Sequence, residues 1–332
     1  MSHVAILGAG AWGTALARVL AEHGEASRLW TWQPEHAAAL LRERENRAFL
    51  PGFSLPSEVE PSADLAHTLR GADLVLLVVP TAAFRATLEL ARPFIAADAT
   101  IVIASKGIEP NSLMLLTEVV EAVLGAAARE RTIVLSGPSF AKEVALGLPT
   151  SLVAAGHVPA LVTSVQQRLS NDRFRVYAGD DPIGVQVGGA LKNVIAIAAG
   201  ACDGLGFGFN TRAALITRGL AEVARLALAK GGHALTLAGL AGLGDLVLTC
   251  TGELSRNRTV GYELGRGKSL SEALGGLGHV AEGVVTAESA YHLAARLGVE
   301  LPISSEVYRV LFEQKPVSEA VRAVLSRPLK RE

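Results

Sequence analysis

Short unbroken apolar blocks recur through the first half of this chain, whereas apolar positions in the second half fall at helical spacing. Residues 3–7 form the first block, a strand; a glycine-bearing turn follows, and residues 14–23 continue as a helix that ends at Gly24. Further blocks lie at 27–32, 73–79, 100–104 and 132–135, separated by helix-like segments, and extended pieces at 150–154 and 173–178 complete the sheet. Strands without polar alternation are what a parallel sheet covered on both faces requires. Their alternation with helices predicts an α/β class with a doubly wound N-terminal sheet. After Asp181-Pro182, a helix start with Asp at the cap and Pro in the first turn, strand signals nearly vanish. Helical runs follow at 211–230, 256–265, 286–297, 304–314 and 318–325, and Ser269 to Glu272 has the form of a capping box. The pattern divides the chain into residues 1–180, a sheet domain, and 181–332, an all-helical domain.

The first turn reads Gly8-Ala9-Gly10-Ala11-Trp12-Gly13, a GxGxxG between strand and helix. In that setting Gly8 permits a tight turn, Gly10 lets backbone approach a pyrophosphate, and Gly13 lets helix and strand pack closely. Backbone N–H groups at the helix start then face the phosphates, so the sheet is of Rossmann type and residues 1–180 are a dinucleotide-binding domain. The second strand should end in the group that reads the adenosine ribose, an acid for NAD or an Arg for NADP. Trp32 and Gln33 stand there, with Glu35 beyond and Arg28 inside the strand, so either NAD or NADP fits the pattern.

Residues just beyond the carboxyl ends of such strands bind ligands. Here they are Pro80-Thr81, then Ser105-Lys106-Gly107, then Ser136-Gly137-Pro138-Ser139. Lys106 stands out because the chain has seven lysines.

A second lysine is isolated in sequence. From Pro182 to Cys202 only Lys192 normally carries charge, and from Ala234 to Gly252 only Asp245 does. A buried ammonium loses hydration, and its pKa falls by up to ~3–5 units unless a partner compensates; such a lysine suits proton transfer near neutral pH. The two lone charges are expected to meet, either as catalytic groups or as a structural ion pair. The length of the apolar run also allows a membrane span, but a mid-depth lysine, four glycines and Asn193 oppose one. Further on, Ser255-Arg256-Asn257-Arg258 opens a helix and suits a phosphate, because arginines in a first turn oppose the macrodipole unless an anion is near.

Composition narrows the field. Half of the 332 residues are apolar and 19% are charged, with a formal net charge of −1, which describes a globular protein with no general attraction to nucleic acid or membrane. The two cysteines, Cys202 and Cys250, lie in apolar segments as expected free thiols, and the eight histidines lack metal-ligand spacing. The first apolar run has no basic leader before it, and a reducing cytoplasm is the expected setting.

Taken together, GAGAWGTALA (8–17), ASKGIE (104–109), SGPSFAKE (136–143), VQVGGALKNVIAIAAG (185–200), FNTRAALITRGLAE (209–222), AGLGDLVLTCTG (241–252), SRNR (255–258) and VAEG (280–283) resemble the NAD(P)-dependent glycerol-3-phosphate dehydrogenases, closest to the bacterial biosynthetic type. The resemblance implies reversible reduction of dihydroxyacetone phosphate to sn-glycerol 3-phosphate with NADH or NADPH, for phospholipid synthesis, and a possible homodimer. It implies that Lys192 transfers the proton, with Asn193, Asp245 and Thr249 around the substrate and Lys106 near both substrate and cofactor. Gly137, Ser139, Ser255, Arg256 and Asn257 match substrate contacts. Ala11, Trp12, Ala141, Arg256, Val280 and Glu282 match cofactor contacts. Where many relatives have His or Arg, Trp32 and Gln33 bring no cation. A related hydroxy-acid dehydrogenase, or a non-catalytic NADH-sensing module, is the alternative reading.

Overall fold

The structure, a computed structural model, describes residues 3–275 and 281–328. It divides into a sheet unit, Met1–Ser105 with Leu116–Pro182, and a helical unit, Lys106–Leu115 with Ile183–Glu332.

In the sheet unit the strands are β1 His3–Leu7, β2 Ser27–Trp30, β3 Glu45–Asn46, β4 Leu50–Ser54, β5 Val59–Ser62, β6 Ala72–Leu77, β7 Thr100–Ile103, β8 Thr132–Ser136, β9 Thr150–Gly156 and β10 Phe174–Gly179. Eight form one sheet in the order β10-β9-β8-β7-β6-β1-β2-β5, while β3 and β4 pair separately. The central strand β1 is buried along its whole length, with Ile6 opposite Leu29 of β2 and Leu76 of β6. Two-sided burial explains why its sequence shows no alternation.

Three features depart from the hydropathy pattern. Strand β9 runs antiparallel to β8, with Val134 opposite Ala155. A buried antiparallel strand carries the same unbroken apolar run as a parallel one, so direction is not encoded there. The second departure is residues 45–62, which hold three strands that no apolar block announces, because Pro51, Gly52 and Pro61 interrupt them. Finally, β2 stops at Trp30, which leaves Trp32 and Gln33 in the following loop. The first helix, Ala11–Glu22, starts three residues earlier than expected because the Gly10 carbonyl already accepts the Thr14 N–H at 3.0 Å.

The helical unit is built around Pro182–Gly204, whose most apolar window is wholly buried. The run long enough to cross a membrane is therefore a core helix, and its apolar character all round follows from neighbours on every side. Helix Arg256–Gly265 crosses it at very short range: a Cβ at Gly200 would stand 1.9 Å from the Arg258 carbonyl oxygen, and one at Gly261 1.9 Å from that of Ile197. Any side chain at either position forces the helices apart. The capping box forms as expected, the Ser269 N–H donating to Glu272 Oε2 at 2.8 Å ahead of helix Leu270–Gly275.

Segment Lys106–Leu115, which follows β7 and lies within residues 1–180, belongs to the helical unit. Ile108 and Leu115 bridge one another and pack fully buried with Val187 and Leu191. That packing, invisible to local pattern, carries Lys106 into the helical unit.

Glu222 shows how this unit satisfies a buried charge. Its carboxylate accepts the Ile303 and Ser304 N–H groups and the Ser304 hydroxyl at the start of helix Pro302–Phe312. Burial pushes its pKa up, opposed by those hydrogen bonds. Glu222→Ala strands these donors, and we expect a stability loss of roughly 2–4 kcal/mol in urea denaturation.

Candidate active site

In the helical unit the two lone charges meet. The Lys192 ammonium donates to Asp245 Oδ1, and the Lys106 ammonium donates to Asp245 Oδ2 at 2.8 Å. One carboxylate, 1% exposed, thus binds two lysines whose side chains are 10% and 15% exposed. Asp245 enters this position at the start of helix Asp245–Thr251, directly after a π-helical turn at Leu240–Gly244. That turn lies against the core helix at Gly188, where a Cβ would come 2.4 Å from the Ala241 carbonyl oxygen.

The balance of charge sets the chemistry. Burial pulls the Lys192 pKa down, Asp245 raises it and Lys106 lowers it again, leaving it at about 7. A carboxylate divided between two ammoniums cannot fully restore either one. Lys192 is therefore able to give or take a proton near neutral pH, the condition for general acid–base work.

Polar side chains beside Lys192 are fixed by one another. The Asn257 amide donates to Asn193 Oδ1 at 2.9 Å, while Asn257 Oδ1 accepts the Gly283 N–H at 3.0 Å. With its oxygen taken, Asn193 retains its NH₂ as the group to offer a ligand oxygen. Thr249 donates to the Asp245 carbonyl oxygen at 2.6 Å, steadying the turn that bears the carboxylate. Ser255 is the N-cap of Arg256–Gly265 and accepts the Arg258 N–H at 3.3 Å, so its hydroxyl oxygen holds the helix start.

Two arginines of that helix have different fates. Arg258 is gripped by Asp203 Oδ2 through Nε at 3.0 Å and Nη2 at 2.7 Å, and Arg212 binds Oδ1 of the same carboxylate. Arg256, in the first turn, is exposed and makes no ion pair among the described residues. A free guanidinium beside free helix N–H groups is a receptor for a phosphate. The Asp203 fork was missed in the sequence because its partners lie 9 and 55 residues away; the only local signal was a carboxylate directly after Cys202. Cys202 and Cys250 are both buried free thiols, held protonated by burial that pushes their pKa values up to about 11 and about 12. Two clefts on this unit, of about 250 and 440 Å³, are lined by Glu300, Arg327 and their neighbours and include none of the residues around Lys192.

The sheet unit holds the expected dinucleotide turn. Gly8 has φ +124°, and a Cβ there would come 2.7 Å from the Val78 carbonyl oxygen; a Cβ at Gly13 would stand 1.9 Å from that of Gly8. Both glycines are demanded by the protein itself. Gly10 is different: its φ is −76° and a Cβ would meet nothing within 4 Å. Neither backbone strain nor packing requires a glycine here, so the requirement that remains is close approach by a bound group. The residues fit a dinucleotide on that observation.

Among the other expected contacts, Gly137 (φ +147°) follows β8, with a Cβ position 2.9 Å from Leu152 Cα, and Ser139 donates to the Gly137 carbonyl at 3.0 Å. Ala141 begins the short helix Ala141–Ala145. Glu282 begins helix Glu282–Leu297 in the helical unit, and Val280 lies outside the described residues.

Family comparison agrees with both units. The model for the N-terminal part of NAD-dependent glycerol-3-phosphate dehydrogenase matches residues 3–161, and that for its C-terminal part matches residues 181–322. The chain belongs to this family. Curated relatives named glycerol-3-phosphate dehydrogenase, NAD(P)+, include those of Geobacter sp. (strain M21), 51% identical over 99% of this chain and 98% of that protein, and Trichlorobacter lovleyi, 53% identical over 99% of each. The crystal structure of glycerol-3-phosphate dehydrogenase from Coxiella burnetii superposes with a TM-score of 0.94 at 43% identity, covering 98% of this chain and 99% of that one.

The glycine turn of this family member separates folding from binding. Gly10→Ala is expected to leave the unfolding midpoint unchanged and to weaken NADH binding about tenfold or more, whereas Gly13→Ala lowers the midpoint itself. Thermal melts and calorimetric titration of each variant check this.

Proposed function

We propose that the protein reduces dihydroxyacetone phosphate reversibly to sn-glycerol 3-phosphate, supplying it for phospholipid synthesis, and that Lys192 is its proton-transfer group. The observation that carries this reading is the buried carboxylate shared by two lysines, one of them held near neutrality. When bound, the nicotinamide cofactor exchanges a hydride with the substrate C2 carbon. Negative charge then develops on the C2 oxygen during reduction, and the Lys192 ammonium stabilises it and donates its proton. For the reverse reaction, the neutral Lys192 amine accepts the hydroxyl proton.

Asp245 positions both lysines and keeps the Lys192 pKa from falling below about 7. Lys106 and the Asn193 amide orient the carbonyl end of the substrate. Arg256, with Asn257 beside it, receives the phosphate, whose binding energy is converted into alignment of the reacting carbon. Ser255 serves by capping that helix and Thr249 by fixing the Asp245 turn, while Gly137 and Ser139 complete the substrate contacts. Gly8, Gly10, Ala11, Trp12, Gly13 and Ala141 hold the cofactor from the sheet unit, with Trp32 and Gln33 at the adenosine end. Lys106, Arg256 and Glu282 match further cofactor contacts of the family. A reducing cytoplasmic setting accords with two buried free thiols, and a homodimer with the family.

Purified protein should oxidise NADH or NADPH with dihydroxyacetone phosphate and be far slower with unphosphorylated dihydroxyacetone; equal rates with both ketones contradict the phosphate assignment. Because the acid form of Lys192 is lost as pH rises through about 7, kcat/KM for ketone reduction should fall above that pH and kcat/KM for alcohol oxidation should fall below it. Lys192→Ala should lower kcat about 10²–10⁴-fold in both directions. Asp245→Asn removes the charge that raises the Lys192 pKa, so the reduction limb should move to lower pH, with a stability cost of about 3–5 kcal/mol. A limb that stays in place removes Asp245 from the tuning.

A further inference from the structure

At the adenosine end of the dinucleotide turn, no unpaired cation stands among the described residues to meet a 2′-phosphate. The loop after β2 presents Trp32, 74% exposed, and the half-buried Gln33. The following helix, Pro34–Glu43, has Pro at its first position and Glu35 in its first turn, which together remove an N–H donor and place negative charge where a helix start would otherwise attract a phosphate. The neighbouring strand β5 leads at the same sheet end to Asp64, also exposed, since the Thr31 N–H bonds to the Ser62 carbonyl at 3.0 Å and the Trp30 indole N–H to that of Ala63 at 3.1 Å.

The nearby basic groups are committed elsewhere. Arg28 binds Glu60 at 3.0 Å and the His67 carbonyl at 2.6 Å. Arg44 donates to the carbonyls of Leu55, Pro56 and Val59, and exposed Arg47 is shared by Glu43 and Glu45. His36 is taken at both ring nitrogens. Its Nδ1 accepts from the Thr31 hydroxyl at 3.2 Å and its Nε2–H donates to Asn46 Oδ1 at 3.1 Å. Asn46, fully buried, has its amide spent on the Ala9 carbonyl and the Thr14 hydroxyl, at 2.9 and 2.7 Å. The imidazole is thus a strut between the β2 loop and the glycine turn, with no N–H left for a ligand.

We infer that this chain selects NADH over NADPH, the choice being made at Trp32 and Gln33. Gln33 can hydrogen-bond a ribose 2′-hydroxyl, and the Trp32 indole gives apolar surface where a cation would serve a phosphate. A 2′-phosphate would bring two negative charges beside Glu35 and Asp64 without compensation. The inference rests on the proposed dinucleotide-dependent function and adds the identity of the dinucleotide.

Equilibrium binding of NADH, NADPH, ADP and 2′,5′-ADP to the wild-type protein, by calorimetry without substrate, tests it. The expected result is NADPH binding about tenfold or more weaker than NADH, with 2′,5′-ADP correspondingly weaker than ADP, and Gln33→Arg narrowing the gap by tightening NADPH alone. NADPH binding as tight as NADH or tighter overturns the preference and leaves the dehydrogenase reading standing. Binding of neither dinucleotide overturns both.

Discussion

Everything chemical in the helical unit depends on burying Asp245 between two lysines. A lone buried carboxylate or ammonium is too costly to keep charged, and a one-to-one pair would return each group toward its ordinary state. Two ammoniums on one carboxylate do neither. The cluster keeps a net positive charge, suited to an anionic substrate, and the more buried lysine comes to lie at about 7. The arrangement is built by three separate segments: the core helix bearing Lys192, the turn bearing Asp245, and the arm after β7 bearing Lys106. Close glycine contacts at Gly188 and Gly200 lock the core helix to its neighbours, so the cluster is held by backbone packing and not by its own attraction alone.

The same division of labour appears twice more. Of the arginines at the Arg256–Gly265 helix, Arg258 is spent on structure through Asp203, and Arg256 stays exposed and is the one proposed to meet the substrate phosphate. Of the three glycines in the dinucleotide turn, Gly8 and Gly13 are demanded by the fold and Gly10 only by a ligand. In each case function is legible as the group that the protein's own packing does not use.

How much of this could be read from sequence depended on whether the signal was local. The strand blocks, the GxGxxG turn, the capping box at Ser269 and the start of the core helix are local, and the structure has them. The meeting of Lys192 with Asp245 was legible because each was the single charge in an apolar run, and burial leaves such charges few partners. By contrast, nothing near Lys106 signals that Ile108 and Leu115 pack into the helical core, so its bond to Asp245 was hidden. The reversed direction of β9 and the proline-interrupted strands around residues 45–62 were hidden for the related reason that pairing, not composition, defines them. Ser255 and Asn257 drew notice in the sequence beside Arg256, but their roles as cap and as brace for Asn193 required knowing which hydrogen-bond partners lay across space.

The most direct measurement is an NMR titration of the folded protein carrying ¹³C-labelled lysine side chains. Seven lysines are present. One resonance should titrate near 7 and disappear in Lys192→Ala, as expected for an ammonium that shares its carboxylate with Lys106. If no lysine titrates below about 9, Lys192 is an ordinary ion-paired cation and the proton-transfer role assigned to it is wrong.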